Sequence, residues 1–365
     1  MALVGVNGQT QIFDHYYAIS TTLTPAFSFS ALVHVIGAGG SGAASDGASS
    51  GGSPAICMAT GGGAGGHAIS RLNFTSGVTY TITIGAGGAQ HQVVDGQRND
   101  GNAGGNSSIS GSDITTMTAN GGGAGQGSIH DAMSSFSESG GTGGSASGGN
   151  IANLTGGAGG AISGSAGASN ATAFLGTGGG AVNVGRGAFA GGAINLYAQH
   201  AGTMRASGGG GTGGQGAYLN ASSSTSTDMY GMGGAGTGPA ADATSGNAAI
   251  DQVGYFLNYT AANSSAADQV NMAFGQNIFS SLIGGTGYSG QSSLNGGGGG
   301  GTNSYGGSGG FGGTAGVAKP LYSGRSAGQG EMGSGSGGLV SNDGVAGNYV
   351  YRGGNGMVLI RILEV

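Results

Sequence analysis

Six residues that follow an apolar segment have the spacing of a dinucleotide-binding turn. Gly37-Ala38-Gly39-Gly40-Ser41-Gly42 matches G-x-G-x-x-G, in which glycines let the backbone approach a pyrophosphate. Such a site also needs a helix directly after the turn and an acidic residue about 20 residues further on. Residues 43–54 are instead rich in glycine, serine and proline, and the acidic position falls within residues 61–66, which contain no acid. The motif therefore does not predict a nucleotide site.

The histidines and acidic residues offer little catalytic or metal chemistry. None of the six histidines repeats at a metal-ligand spacing: His15, His34, His67, His91, His130 and His200. The neighbours Asp14–His15 and His130–Asp131 are expected to be solvated loop residues, and His34 a core or interface histidine. The 14 Asp and Glu residues do not pair as a glycosidase requires. The sequence predicts no enzyme, no cofactor and no metal.

Glycine provides 93 of the 365 residues, in short blocks that lack a fixed period. Collagen is excluded because the chain has only 4 Pro and no Gly-X-Y phase. Disorder or flexible linkers are the alternatives, but the chain is 6% charged and 37% hydrophobic, unlike most disordered chains. Glycine lets backbones pack directly against each other. The blocks therefore predict left-handed three-residue helices bonded to their neighbours, with Gly296–Gly301 inside the bundle and Ala, Ser, Asn and Thr at its perimeter.

Segments near both ends of the chain have strand patterns. Residues 27–36 and 78–84 alternate, as half-buried strands do, whereas residues 357–365 are almost continuously apolar, as a strand covered on both faces is. The fold class expected is mainly β and irregular. It comprises an antiparallel β scaffold formed by N- and C-terminal strands, a packed bundle of polyglycine II helices, and one candidate short α-helix at residues 264–282, where apolar residues recur every four positions.

We expect two regions along the chain. Residues 1–24 form an apolar, aromatic leader, a candidate attachment or oligomerisation segment, in which no signal peptide is readable. Residues 25–365 form a single glycine-rich domain, with strands near 26–36, 67–84, 107–119 and 357–365 and a large loop insert at 240–283. No stretch reaches membrane-spanning length, and the single Cys57 excludes an internal disulfide. A net charge of −6 with 8 Lys and Arg argues against nucleic-acid binding.

An ordered series of motifs resembles a known family. It begins ALVHVIGAGG (31–40), GGGAGGH (61–67) and SGVTYTITIGAGG (76–88), and ends with GNGMVLIRI (354–362). This series resembles the glycine-rich domain of bacteriophage tail-fibre and adhesin proteins. The resemblance implies a β scaffold that carries packed polyglycine helices, with host recognition by loops at the far end of the body. It also implies a virion location on the tail fibre or tail tip, outside the cell, and other virion tail proteins as partners; a homotrimer is one candidate assembly.

Recognition residues are expected where glycine thins out, because glycine helices present few side chains. Such loop candidates are residues 128–139, 193–206, 217–230 and 240–283. Tyr255, Phe256 and Tyr259 lead the receptor-binding candidates, followed by Tyr230 and Tyr218, because a tyrosine ring gives contact area at low entropy cost. The sequence thus predicts a phage receptor-binding protein that attaches to an outer-membrane protein or surface glycan of its host. The alternatives are a structural virion component, such as a head fibre or tail-tip piece, and an ice-binding protein.

Overall fold

The computed structural model describes most of the N-terminal part of the chain and the C-terminal strands. The described residues are 14–47, 55–93, 96–131, 135–166, 173–185, 187–198, 203–210, 215–216, 218–221, 229–230, 317–319, 326–327, 330, 332–341 and 348–364. Within these ranges the protein is built from β-strands and extended glycine segments, without an α-helix. The predicted α-helix at 264–282 and Gly296–Gly301 lie outside the described residues.

Two antiparallel sheets form what we call the base sandwich. The first has the strand order β1 (Asp14–Tyr17), β26 (Met357–Glu364), β3 (Phe29–Ile36), β6 (His67–Phe74) and β15 (Ala152–Leu154). The second has the order β14 (Ala146–Ser147), β11 (Ile114–Ala119), β10 (Ser107–Gly111), β7 (Tyr80–Thr83) and β2 (Thr21–Leu23). Strands from both ends of the chain therefore pair in one sheet, which confirms the predicted antiparallel scaffold.

The core of the base sandwich follows from the alternation along its strands. Ala31, Val33 and Val35 of β3 are buried in one cluster with Tyr80 and Ile109 of the second sheet. Successive side chains of a strand point to opposite faces. The other face of the first sheet is covered as well, since Met357 and Leu359 of β26 contact Val182 and Val184. The continuous apolar sequence of β26 is therefore explained by burial on both faces.

Extended segments that we call glycine helices leave the base sandwich. In the helix of residues 37–43, the backbone N–H groups of every third residue donate to the helix of residues 60–66, running in the opposite direction. The bonds are Gly37 to Gly66, Gly40 to Gly63 and Ala43 to Thr60. The next N–H groups along, those of Ala38 and Ser41, donate to Gly105 and Asn102 of a third segment. A repeat of three residues is that of the polyglycine II helix, which has no internal hydrogen bonds.

Hydrogen bonds between glycine helices form a hexagonal array. Helix 37–43 bonds to six neighbours: residues 60–66, 84–90, 100–106, 120–126, 332–338 and 351–356. Helix 60–66 also has six: residues 37–43, 120–126, 139–145, 155–161, 177–184 and 332–338. A Cβ on Gly63 would overlap the carbonyl oxygen of Thr142, and one on Gly40 that of Gly123. These positions admit glycine alone because the neighbouring backbones leave no volume for a side chain.

In three outer glycine helices an exposed residue recurs at every third position. Ser139, Thr142 and Ser145 are exposed, whereas Gly141 and Gly144 between them are buried. The same spacing recurs in two further helices, at Asp100, Ala103 and Asn106, and at Ala86 and Ala89. The predicted perimeter location of small residues is confirmed in these helices. In the two inner helices it is wrong, since Ala38, Ser41 and Ala64 are buried. Their side chains are small enough to fit inside the bundle.

Four small sheets at the opposite end of the glycine helices form what we call the crown. One sheet has the order β12 (Gly127–Asp131), β5 (Ala55–Ala59), β17 (Ala173–Gly176), β19 (Thr203–Ala206) and β21 (Met229–Tyr230). The second consists of β13 (Ser135–Glu138), β16 (Ile162–Ala166), β18 (Ile194–Ala198) and β20 (Leu219–Ala221). The third contains β22 (Val317–Lys319), β24 (Leu339–Ser341), β4 (Ala44–Asp46) and β9 (Arg98–Asn99). The fourth contains β23 (Ser326–Ala327), β25 (Asn348–Val350) and β8 (His91–Val93).

The strands correct several expectations of loops from the sequence. Residues 128–139, 193–206 and 217–230, predicted as loops, contain β12, β13 and β18–β21. His130–Asp131 lies in β12 and Asp14–His15 in β1, so these pairs are strand residues and not loop residues. Many crown strands pair in parallel, for example β5 with β17 and β16 with β18, because successive glycine helices connect to them in the same direction. Within the predicted leader, β1 pairs with β26 and β2 with β7, both in the base sandwich, and the attachment or oligomerisation role of residues 1–24 stays a prediction.

Candidate functional site

The described ends of the chain lie far from the crown. Asp14, the first described residue, is in register with Arg361, near the last described residue, Glu364. The β26 strand begins at Met357, directly after the glycine helix of residues 351–356, so Glu364 lies at the far end of the base sandwich. The molecule therefore has two distinct ends, of which one carries both described chain ends and the other carries the crown.

The structure describes the side chain of only one of the five receptor-binding candidates. Tyr218 is half-buried and directly precedes β20. Tyr230 is the last residue of β21, and its side chain is not described. Tyr255, Phe256 and Tyr259 lie outside the described residues.

The stretch that holds Tyr255, Phe256 and Tyr259 is bounded by crown strands on both sides. It follows β21, an edge strand of the first crown sheet. It precedes β22, which lies against β17 and β19 of that same sheet. Both attachment points are therefore in the crown, at the opposite end from Asp14 and Glu364.

Tyr218 borders a groove of about 380 Å³ on the outside of the glycine helices. The parallel register of β16, β18 and β20 aligns Ile162, Ile194 and Leu219, all of which are buried. The residues one position earlier, Ala161, Ala193 and Tyr218, therefore share a level on the opposite, outer face. Ala190, Gly191 and Gln215 also line the groove. Since the floor consists of Ala and Gly, the ring of Tyr218 is the largest side chain available to a ligand there.

A second depression, which we call the polar cleft, lies where three glycine helices meet the crown. It measures about 300 Å³ and is lined by Arg98, Asn99, Asp100, Gln126, Gly127 and Glu138. Three of its side chains are held by hydrogen bonds. Asp100 Oδ1 accepts the Gly127 N–H at 2.9 Å, Asn99 Nδ2 donates to the Gln92 carbonyl at 2.7 Å, and Gln126 Oε1 accepts the Ser139 N–H at 3.2 Å. Three of the polar groups that border the cleft are thus held in place.

The charges of the polar cleft do not neutralise each other by direct contact. Neither Asp100 nor Glu138 lies within ion-pair distance of Arg98, among the residues that the structure describes. Glu138 Oε1 instead lies 3.5 Å from His130 Nε2. A guanidinium and two carboxylates thus border one cleft without forming an ion pair across it. Sequence reasoning missed this site because its residues come from three separate segments. The available signal was the presence of three charged residues beside glycine blocks in a chain with few charges.

The G-x-G-x-x-G motif has a structural role. Gly37–Gly42 lies within the inner helix of residues 37–43, where the residues are buried and neighbouring backbones surround the helix. A Cβ at Gly39 would overlap the Ser334 carbonyl and one at Gly42 the Gly337 carbonyl. No volume remains for a nucleotide beside these glycines.

Two buried histidines form a pair between the base sandwich and the glycine helices. His67 Nδ1 lies 3.0 Å from the carbonyl oxygen of Asn183, so it must be the protonated donor nitrogen. His67 Nε2 then accepts a hydrogen bond from His34 Nδ1 at 3.1 Å. Burial lowers the pKa of His67 to about 4 and that of His34 well below its usual value. Both rings are therefore neutral at pH 7, and the prediction that His34 is a core residue is confirmed.

The remaining nucleophilic and metal-ligating groups of the described residues are dispersed. The Cys57 thiol is buried, and burial raises its pKa to about 12, with Asp46 adding to the shift. A thiol of this kind is unreactive, because the thiolate is the reactive form. Among the described ranges, no group of three or more His, Cys, Asp or Glu could hold a metal ion. The same ranges contain no helix long and apolar enough to cross a membrane.

Comparison with known proteins assigns the chain to a family. The family model described as a glycine-rich domain matches residues 19–254, well over half of the 365 residues. The chain belongs to the glycine-rich domain family. This match covers β2 to β21, and thus most of the base sandwich and of the glycine helices. No curated protein matches the chain. The family description names a composition and gives no activity or partner.

Proposed function

We propose that this glycine-rich domain is a bacteriophage tail-fibre or adhesin protein that binds a receptor on the host cell surface. The observation that carries the proposal is the separation of the two ends of the molecule. The described chain ends lie at the base sandwich, whereas the stretch with Tyr255, Phe256 and Tyr259 starts from and returns to the crown. A virion protein that displays recognition loops needs this separation of a mounting end from a display end.

The interior of the described bundle supports a recognition role over a catalytic one. Its inner helices consist of glycine and small residues packed against backbone, so they place no nucleophile or general base in a cavity. The bundle instead gives a stiff support, because each inner segment is hydrogen-bonded to six others. Contacts with a partner must come from the crown and from outer side chains such as Tyr218. Tyrosine is frequent in binding surfaces because its ring is large, rigid and polar at one end.

The attachment function can be tested with the purified chain on bacterial cells. A fluorescently labelled chain should bind the cells of at least one species in a broad panel, and unlabelled chain should compete with it. A variant in which a short Gly-Ser linker replaces residues 240–283 should keep the melting temperature of the parent and lose cell binding. Thermal melting is the necessary control, because a misfolded variant would also lose binding.

Other outcomes would contradict the proposal or move the recognition site. A chain that binds no cells but assembles with virion tail or head proteins is a structural virion component. Full cell binding by the linker variant would place recognition outside residues 240–283. Thermal hysteresis in the absence of cell binding would identify an ice-binding protein.

A further inference from the structure

We infer that the polar cleft at Arg98, Asp100, Gln126 and Glu138 binds a neutral, hydroxyl-rich ligand, a saccharide, separately from the five aromatic candidates. The cleft lies where the glycine helices of residues 100–106, 120–126 and 139–145 meet β9, β12 and β13 of the crown. Its existence depends on the hexagonal array, because Asp100, Gln126 and Glu138 come from three neighbouring segments. The inference rests on this geometry and not on the proposed attachment function.

Each anchored side chain of the cleft uses one polar atom and presents another. Asp100 uses Oδ1 and presents Oδ2, while Gln126 uses Oε1 and presents its Nε2 donors. Asn99 uses Nδ2 and presents Oδ1. Across the described ranges these second atoms have no protein partner, and the Arg98 guanidinium also makes no hydrogen bond there. The cleft therefore combines free donors and free acceptors, and those of Asn99, Asp100 and Gln126 are held in place before a ligand arrives.

A hydroxyl group matches this combination because it donates one hydrogen bond and accepts others. A sugar presents several hydroxyls at fixed angles, so one ring can bond to Arg98 or Gln126 as acceptor and to Asp100 or Glu138 as donor. Hydrogen bonds to charged groups are stronger than those between neutral groups. The two carboxylates and Arg98 would each meet a neutral partner, and no ion pair among these three residues is lost when the ligand enters.

Charged ligands fit the polar cleft less well. Asp100 and Glu138 would repel a phosphate or sulfate ion, and Arg98 would repel a divalent cation. The cleft residues also fall short of the three His, Cys, Asp or Glu residues that a metal group would need within the described chain. Apolar ligands are disfavoured because entry would strip water from carboxylates and a guanidinium without replacing their hydrogen bonds.

Saturation-transfer NMR on the full chain tests the inference. The probes are glucose, galactose, mannose, N-acetylglucosamine and their disaccharides, with inorganic phosphate and Ca²⁺ as charged comparators. We expect at least one saccharide to bind, and Arg98→Ala or Glu138→Gln to weaken it roughly tenfold or more, the effect of a lost charge-assisted hydrogen bond. Arg352→Ala is the matched control, since Arg352 is an exposed arginine outside the cleft. This control should bind saccharide as the parent does.

Three results would overturn the inference: no saccharide binding at millimolar concentrations, equal binding by the parent and both cleft variants, or binding of phosphate or Ca²⁺ alone. Melting temperatures of the variants exclude unfolding as the cause of a loss. The outcome is also distinguishable from that of the attachment proposal. Cell binding without saccharide binding would contradict the saccharide inference and support attachment. Saccharide binding without cell binding would support the saccharide inference and contradict attachment.

Discussion

Gly40 donates its backbone N–H to the carbonyl oxygen of Gly63 at 2.8 Å, and this bond joins the two glycine helices that have six neighbours each. No side chain separates these two backbones, because a Cβ at either residue would overlap a further carbonyl oxygen. The interior of the bundle is therefore held by peptide groups. Each backbone hydrogen bond makes a net contribution of about 0.5–1.5 kcal/mol to stability. The stability of the bundle therefore depends on the number of these bonds and on the absence of side chains between the backbones.

A side chain at a buried glycine should therefore destabilise the protein strongly. Gly141→Val would overlap the Gly123 carbonyl oxygen and displace the backbone of Gly63. We expect a loss of about 3 kcal/mol or more in the free energy of unfolding, from overpacking and broken hydrogen bonds. Denaturant titration measures it. Thr142→Val is the matched control, since Thr142 is the exposed next residue, and it should change stability by less than about 0.5 kcal/mol. Equal stability of the two variants would contradict close backbone packing.

Removal of β26 should unfold the base sandwich. The strand lies between β1 and β3, and its side chains are buried on both faces. A chain that ends at Gly353 should be insoluble or degraded in limited proteolysis, because both neighbouring strands would lose their backbone partners. Arg361→Ala serves as the control. It removes only the ion pair with Asp14, at 2.7 and 2.9 Å near the surface, which contributes about 1 kcal/mol or less. A soluble, protease-resistant truncation would show that β26 is dispensable.

The buried histidine pair should make the protein less stable in acid. The pKa of His67 is about 4 in the folded protein and about 6.5 when unfolded. Between these values the unfolded chain binds a proton that the folded chain does not. The free energy of unfolding therefore decreases as the pH is lowered, by about 1.4 kcal/mol per pH unit for each such histidine. This stability is fully present above pH 6.5 and is lost as the pH falls towards 4. His34 acts in the same direction.

Chemical denaturation at pH 7, 6, 5 and 4 measures this dependence. His67→Gln should reduce the stability at pH 7, because it disturbs the bonds to His34 and Asn183, and should also flatten the slope. Thr142→Val, which changes an exposed residue that does not titrate, is the control and should keep the slope of the parent. A pH-independent stability of the parent above pH 4 would contradict the assignment of two neutral buried rings.

The three leading aromatic candidates remain a prediction, because they lie outside the described residues. The triple variant Tyr255→Ala, Phe256→Ala, Tyr259→Ala should lose adsorption to host cells and keep the melting temperature, since a few aromatic anchors usually dominate the binding energy of an interface. Tyr351→Ala, at an exposed tyrosine of the described chain, is the control and should adsorb normally. Early melting of the triple variant would show that these rings belong to the core. A stable triple variant that still adsorbs would place recognition elsewhere, with Tyr218 the next residue to test.

Local patterns in the sequence predicted the base of the fold but not its crown. The alternation in β3 and the apolar run in β26 identify strands because burial on one or two faces fixes their composition. Crown strands such as β4, Ala-Ser-Asp, and β20, Leu-Asn-Ala, have the composition of turns. They are strands only because the glycine helices that lead into them are already aligned. The pairing Ser45↔Arg98 follows from that alignment, because neither segment has a strand preference of its own.

The neighbours of each glycine helix could not be predicted either. All blocks have nearly the same composition, so nothing in residues 37–43 indicates that they bond to Asn102, Ser336 or Gly354. The polar cleft was missed for the same reason. Arg98, Gln126 and Glu138 are separated along the chain by stretches that carry no pattern linking them. Tyr218 borders a groove that no pattern in the sequence predicted, and its role in receptor binding stays a prediction.

The hexagonal array also determines the order in which the chain can fold. Helix 37–43 is an early segment, yet its partners include Gly354 and Ser336, and β3 pairs with β26 at the C-terminal end. During synthesis on the ribosome, helix 37–43 and β3 therefore cannot complete their hydrogen bonds until β26 has been synthesised. Contacts between such distant positions make folding slow and leave unpaired edges exposed in the meantime. The glycine helices that pack closely in the folded protein therefore lack some of their hydrogen-bond partners until the C-terminal segments have been synthesised.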